Sequence, residues 1–342
     1  MSEMPRRYLI VGPSWVGDMV MAQSLFATLK KLYPDCLIDV IAPEWSLPIL
    51  ERMPQVNQGI ALKIGHGEFS LLRRIKMGLA LREQAYTHSI VLPRSWKSAL
   101  IPFFANAKVR TGFRGEMRYG LLNDIRELDK NILKQTVQRY VSHAYVANLK
   151  QAPEIPFPKL EVDMINRGRL IEKLKLDLTK PIIAMMPGAE YGPAKQWPEK
   201  HYRELADLLI NKGYQVWLIG SAKEKALSKN IVEGLGLDAI NLCGKTELVD
   251  TVDLLSCAEQ VVTNDSGLMH VAAAVGVKLN VIYGSSTPDY TPPLSPKENM
   301  NIFYLDLECS PCFKRECPFG HTNCLFEIAA KNIYLKMIVS SI

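Results

Sequence analysis

The stretch Tyr8-Leu9-Ile10-Val11-Gly12-Pro13-Ser14-Trp15-Val16-Gly17-Asp18 passes from an apolar run, through a glycine–proline turn, into a helix-periodic segment. Tyr8–Val11 suits a buried strand. From about Asp18 to Leu32, Met19, Ala22, Leu25, Phe26 and Leu29 fall on one helical face. A strand that hands over to a helix through a short loop opens a parallel α/β sheet, and such sheets bind ligands outside the carboxyl ends of their strands. The loop is not a dinucleotide fingerprint, because GxGxxG is absent. It is not a P-loop, because no Gly-Lys-Ser/Thr closes it. Asp18 then has two readings: a carboxylate placed favourably at a helix start, or a functional group at the ligand-binding edge. Gly17 beside it favours close approach of a ligand.

The same alternation continues outward. Leu37–Ala42 and Ser89–Leu92 read as further strands. Gln151–Pro158 (QAPEIPFP) reads as a linker, followed by a charged helical stretch, Asn166–Leu176. Strands are then expected at Pro181–Met185, Tyr214–Ile219, Gln260–Thr263 and Leu279–Tyr283, with helices at Trp197–Lys212, Glu224–Leu235 and Leu268–Val275. Two such runs split by a proline-rich linker predict an α/β chain of two Rossmann-like, doubly wound domains facing across a cleft. The expected divisions are residues 1–165, residues 166–325, and an apolar helical tail at 326–342 able to pack back on the N-terminal domain.

Composition agrees with two globular domains. The chain has 342 residues, 48% of them hydrophobic and 22% charged, which supports large cores and argues against disorder. No stretch approaches the roughly 18 apolar residues of a spanning helix. Arg6 and Arg7 precede an apolar run, but Pro13, Gly17 and Asp18 interrupt it and no small-residue cleavage site follows. The expected location is therefore cytoplasmic. The net charge of +6 is uneven: residues 1–165 carry +7 and the remainder −1. The basic half fits an anionic partner, whether nucleic acid, an acidic sugar or an anionic membrane surface, or else a solvated basic face.

Three loops of the second half lie at strand ends. Met186–Pro198 (MPGAEYGPAKQWP) is glycine-rich and contains Lys195. Backbone N–H groups near Gly188 and the Lys195 ammonium suit a diphosphate; a surface lysine before a proline-started helix is the plainer reading. Thr263–His270 (TNDSGLMH) would aim N–H groups at an anion from a helix N-terminus; alternatively Asp265 or Ser266 caps that helix. Glu224, in Gly220–Glu224, suits a ribose diol or a charged helix start. Together these describe a nucleotide-diphosphate pocket. In the basic half, Arg94, Lys97, Arg110, Arg114 and Arg118 are candidates for an anionic acceptor, some of them in surface ion pairs.

The Gly12–Asp18 loop, PGAEYGPAKQWP and TNDSGLMHVAAA resemble the glycosyltransferase family 9 heptosyltransferases. RTGFRGEMRYGLLND and SSTPDYTPPLS are similar to the ADP-heptose–lipopolysaccharide heptosyltransferase II branch. The resemblance runs from Tyr8 to about Ser295. It implies a Gram-negative, inverting enzyme of the GT-B fold that moves L-glycero-D-manno-heptose from ADP-heptose to the first heptose of the lipopolysaccharide inner core, on heptosyl-Kdo2-lipid A. It implies Asp18 as general base and Lys195 as diphosphate ligand. Gly188, Asp265, Ser266, Gly267 and His270 would line the donor site, with Glu224 on the ribose and Thr246 near the adenine. Gly17 and the five basic residues would face the acceptor. No cofactor or metal is required on this reading, and no nucleic acid, since no base-stacking pattern accompanies the basic half. The expected attachment is peripheral, on the cytoplasmic face of the inner membrane. Two alternatives stand beside it: a family 9 enzyme with another acceptor such as Kdo-lipid A, and a nucleotide-sugar-binding protein without transfer activity.

Seven cysteines include a cluster, Cys309-x2-Cys312-x4-Cys317-x6-Cys324, with His321 among them. Disulfides do not suit a reducing cytosol. Four thiolates could hold zinc, although the spacing is not a pair of CxxC knuckles. The other reading is a reduced loop whose thiols pack as small apolar groups.

Overall fold

A computed structural model describes residues 5–65 and 68–339. The chain divides into two compact units, residues 1–158 and 159–342. The first unit holds β1 (Arg7–Val11), β2 (Leu37–Ala42), β3 (Gln58–Ala61), β4 (His88–Val91), β5 (Val109–Phe113) and β6 (Asp124–Arg126). They form one sheet in the order β3-β2-β1-β4-β5-β6, with every pair parallel. The second unit holds β7 (Ile182–Met186), β8 (Gln215–Leu218), β9 (Ala239–Asn241), β10 (Gln260–Asn264), β11 (Lys278–Ile282) and β12 (Met300–Phe303). Its order, β12-β11-β10-β7-β8-β9, is again wholly parallel. Counted from β9, it repeats the arrangement of the first unit.

Both sheets therefore reverse direction once, between β1 and β4 and between β7 and β10. Loops leaving those paired strands diverge to opposite faces and open a crevice at the carboxyl edge. β7 and β10 are buried along their whole length, as expected of central parallel strands covered by helices on both faces. Their apolar runs made them readable. β3, β6, β9 and β12 are three or four residues each, half-exposed, and sit at or next to sheet edges.

Three expectations need correction. The boundary lies at the end of the proline-rich stretch, not after residue 165. Leu160 is already buried in the second unit, and its N–H donates to the Ala274 carbonyl at 3.0 Å. The expected helix at 166–176 runs over Met164–Leu174, because the Asp163 carboxylate caps it by accepting from the Ile165 and Asn166 N–H groups. The tail is not one helix and not a separate element. Helices Asn323–Phe326 and Ala330–Val339 flank a break, and Ile333 and Met337 are completely buried in the second unit's own core with Trp197 and Leu205. Residues 340–342 of the expected helix lie outside the described residues.

Candidate active site

In the first unit, β1 ends at Val11 and the helix Val16–Leu32 begins a few residues later. Gly12 is needed between them. A Cβ there would stand 2.6 Å from the Met19 Cε and 3.1 Å from the Ile41 carbonyl oxygen. Gly17 is buried, and Asp18 is half-buried in the first helical turn. The Asp18 Oδ1 accepts a hydrogen bond from the Tyr140 hydroxyl at 2.8 Å. Tyr140 belongs to the helix Thr136–Val141, which packs on the helix carrying Asp18. Nothing local in the sequence announces this partner, 122 residues away.

The five basic candidates split into two groups. Arg118 is turned inward, 1% exposed. Its guanidinium donates to the Pro93 carbonyl at 2.7 Å and the Phe113 carbonyl at 2.5 Å. It ties the loop after β4 to the loop after β5. Arg110 donates to the Leu121 and Ala107 carbonyls, both at 2.7 Å. The prediction that these two face an acceptor is thus replaced by a structural role. Burial lowers both pKa values from the ordinary range, with the nearby Arg94 charge adding to the effect at Arg118, and fixed carbonyl acceptors receive both guanidinium groups. Arg94 and Arg114 remain exposed and Lys97 half-exposed at the carboxyl edge. Arg94 donates to the Arg114 carbonyl, Lys97 to the Glu68 carbonyl, and Arg114 pairs with Glu127 at 2.6 Å. Sequence reading passed over the aromatics of this edge. Trp15 and Trp45 are half-exposed, with the Trp45 indole donating to the Ser14 carbonyl, and Phe69 stacks on Trp96 with centroids 5.9 Å apart.

In the second unit, the loops after β7 and β10 meet. The Lys195 Nζ lies 2.5 Å from the Asp265 Oδ2, and the Ser286 hydroxyl donates to the same oxygen. Asp265 is 5% exposed and Lys195 16%. Ser266 occupies the N-cap of the helix Gly267–Val275 but makes no side-chain cap bond, and Asp265 is engaged elsewhere. The capping reading of this loop therefore fails, and the first-turn N–H groups keep no side-chain cap among the described residues. His270 is buried, and burial pushes its pKa down to about 4 despite Asp265. It is a neutral imidazole at pH 7, and its Nδ1 has no hydrogen-bond partner among the described residues. A Cβ on Gly188 would touch the Glu224 carboxyl carbon at 2.9 Å, so the glycine leaves room for that carboxylate. Glu224 accepts from the Ser221 N–H at 2.7 Å and from its hydroxyl at 2.6 Å. The Thr246 Oγ1 is buried and unpartnered among the described residues, a polar atom left for something else to satisfy.

Asn264 binds the two loops together. Its Oδ1 accepts from the Trp197 N–H at 3.0 Å and the Tyr202 hydroxyl at 3.1 Å, while its Nδ2 donates to the Pro187 carbonyl at 2.8 Å. The cysteine-rich segment is a second support. Its Arg315 carbonyl accepts from the Ala194 N–H, its Phe313 carbonyl accepts from the Tyr191 hydroxyl, and the Ser310 hydroxyl donates to the Gly284 carbonyl. Cys309, Cys312, Cys317, Cys324 and His321 line one small cavity. Among the described residues, however, no three His, Cys, Asp or Glu side chains are disposed to hold a metal ion, so the zinc expectation is not supported. Burial and the three neighbouring sulfurs push the Cys324 thiol up to about 11, which suits a protonated, packing thiol. A separate shallow cavity of about 370 Å³ opens beside Pro181, at the start of β7 and away from the ligand edge.

An ammonium, a helix N-terminus and a neutral histidine at one sheet crossover, with a carboxylate beside a glycine, are chemically suited to an anionic, phosphate-bearing ligand. Residues 74–323 match the family described as glycosyltransferase family 9 (heptosyltransferase). The chain belongs to glycosyltransferase family 9. Lipopolysaccharide heptosyltransferase 2 of Salmonella typhimurium is 49% identical over 300 residues, covering 85% of this chain and 86% of that protein. Lipooligosaccharide heptosyltransferase 2 of Haemophilus ducreyi is 44% identical over 340 residues, covering 96% and 97%. The structure of Escherichia coli ADP-heptose lps heptosyltransferase II aligns with a TM-score of 0.86 at 42% identity, over 98% of both chains. The two parallel sheets are those of a GT-B enzyme. As a family 9 member the chain is a glycosyltransferase using a nucleotide-sugar donor, and the binding protein without transfer activity is set aside. Among the described residues, no helix is long and apolar enough to cross a membrane.

Proposed function

We propose that this family 9 enzyme transfers heptose from ADP-heptose to the first heptose of a lipopolysaccharide inner core, with inversion at the transferred carbon. The observation that carries the donor side is the Lys195–Asp265–Ser286 cluster beside the buried, neutral His270. The match to heptosyltransferase 2 enzymes over nearly the whole chain supports the acceptor.

Asp18 is the general base. As the acceptor hydroxyl oxygen bonds to C1 of the heptose, its proton passes to the Asp18 carboxylate and the bond from C1 to the diphosphate oxygen breaks. ADP leaves with that electron pair. The Lys195 ammonium and the N–H groups opening the helix Gly267–Val275 offset the charge that accumulates there. ADP is a good leaving group, so fixed positive charge suffices to assist it and the mechanism needs no resident cofactor. Glu224 accepts from the ribose hydroxyls, and Thr246 sits near the adenine.

Arg94, Lys97 and Arg114 face the anionic acceptor. The +7 charge of residues 1–165 and the exposed Trp15 and Trp45 support peripheral binding at the cytoplasmic face of the inner membrane.

The test is incubation with ADP-heptose and a core truncated after its first heptose. ADP should be released, and the product should gain the mass of one heptose. Transfer to a Kdo-lipid A acceptor instead would replace this reading by the first-heptose activity. Release of ADP with neither acceptor would remove both.

A further inference from the structure

The base proposed above, Asp18, has a partner that the catalytic scheme does not use. The Tyr140 hydroxyl donates to the Asp18 Oδ1 at 2.8 Å, with both residues half-buried. Tyr140 is held firmly. Its helix, Thr136–Val141, starts with a reciprocal Gln135–Gln138 capping box and is anchored by completely buried Val137 and Val141. The His143 imidazole bonds to the Arg139 carbonyl at 2.8 Å and the Tyr140 carbonyl at 3.2 Å. Both acceptors are carbonyls, so the His143 Nδ1 carries the proton. The tyrosine backbone is thus pinned from below while its hydroxyl is aimed at the base.

We propose that Tyr140 is a positioning residue for Asp18: its hydroxyl fixes the rotation of the carboxylate and stabilises the charged form that must receive the proton. This rests on the reading of Asp18 as the base. A carboxylate at a helix start can rotate about its terminal torsion, which is broad rather than staggered. The Tyr140 hydroxyl on one oxygen restricts that freedom and favours ionisation. The cost is a weaker base; the return is a carboxylate ionised at lower pH and pointed in one direction.

Other titratable groups stand on the elements packed against this helix. Arg139 directs its guanidinium to the Leu133 and Lys134 carbonyls. Burial keeps His143 neutral, with its pKa lowered to about 4. Glu51, beyond the helix Leu47–Leu50, is exposed. On the Asp18 helix itself, Lys30 and Lys31 lie in the last turn.

The experiment is the pH dependence of kcat for wild type, Tyr140→Phe and Tyr140→Gln, with ADP-heptose affinity measured by calorimetry on each. Loss of the donor raises the pKa of the base, so the acid limb of the Tyr140→Phe profile should move to higher pH by about 0.5–1 unit. ADP-heptose affinity should stay within twofold of wild type, because its ligands belong to the second unit. Tyr140→Gln keeps a donor, and its limb should lie nearer the wild-type position than that of Tyr140→Phe. A Tyr140→Phe enzyme that is slower but has an unmoved acid limb overturns the proposal, since that is what a purely structural role produces. If Tyr140→Phe does not fold, the Tyr140→Gln limb decides alone: retention near wild type supports the proposal, and displacement by a unit or more defeats it. Asp18→Asn separates this from the underlying assignment. A near-wild-type rate there removes Asp18 as base, whereas an inactive Asp18→Asn beside an unmoved Tyr140→Phe limb removes Tyr140 only.

Discussion

The Lys195 ammonium stands 2.5 Å from the Asp265 carboxylate, and the oxygen it touches also accepts from the Ser286 hydroxyl. The lysine is thus held at the crossover of the second sheet by a carboxylate that is itself fixed by a third group. Its position is set before the donor arrives. Removing a preorganised charge of this kind costs on the order of 100- to 1000-fold in kcat. Lys195→Ala should show that loss in steady-state assays of ADP release. A kcat within a few-fold of wild type would contradict the assignment of leaving-group assistance to Lys195.

Asn264 should behave as a residue of both stability and donor affinity. It pairs with the Trp197 N–H, the Tyr202 hydroxyl and the Pro187 carbonyl, all buried. Asn264→Ala strands the Trp197 N–H and the Pro187 carbonyl, while the Tyr202 hydroxyl keeps the Met186 carbonyl, and each unsatisfied buried group costs about 1–3 kcal/mol. The urea midpoint of Asn264→Ala should fall accordingly, and ADP should bind more weakly. Asn264→Ala with an unchanged midpoint would mean that the network relaxes without it.

Gly192 tests the link between the cysteine-rich segment and the donor lysine. Its φ of +151° and the 2.5 Å that would separate a Cβ from the Arg315 carbonyl oxygen leave no space for a side chain. Gly192→Ala must push the 313–315 backbone away from the loop that carries Lys195. The expected result is at least a tenfold rise in the ADP dissociation constant by calorimetry, with Gly168→Ala, in the helix Met164–Leu174 and with no atom within 4 Å of the added Cβ, as the unaffected control.

His143 gives the first unit an acid-sensitive element. Its folded-state pKa is lowered from 6.5 to about 4, chiefly by burial and then by Arg126. The unfolded chain therefore takes up a proton below about pH 6.5 while the folded chain does not until about pH 4. Stability falls as pH drops through that window and is fully present above it. The loss attributable to His143 is about 3 kcal/mol at most. His143→Leu should flatten the pH dependence of the urea midpoint between pH 6.5 and 4; a parallel slope in the variant would count against the assignment.

The central strands and the loops that follow them were readable because burial on both faces forces continuous apolar runs, and because glycines and a proline end each run abruptly. This covers β1, β7 and β10, the Gly12–Asp18 loop, and the Lys195 and Asp265 loops. The edge strands were not readable. Asp124-Ile125-Arg126 is three residues long and mostly charged, and it joins the sheet only because β5 offers it an edge. The fate of the basic residues was also hidden. Arg114 and Arg118 stand four positions apart in one loop, yet the first is exposed and the second buried. The difference lies in the Pro93 carbonyl, 25 residues away, which together with the nearby Phe113 carbonyl receives the Arg118 guanidinium. Tyr140 was invisible for the same reason, since its partner is fixed by packing of two helices far apart in sequence. Spacing could not choose between the two readings of the cysteine cluster, metal-holding or packing; among the described residues no group able to hold a metal ion forms there.

The division after Pro158 falls within an extended, proline-rich stretch and cuts no helix or strand. Each side of that point keeps a complete sheet with the same strand order. Lineages could therefore recombine at this joint without disturbing either core. If the proposed division of donor and acceptor sites holds, a chimera joining residues 1–158 of one family 9 enzyme to residues 159–342 of another would take its acceptor from one parent and its sugar nucleotide from the other.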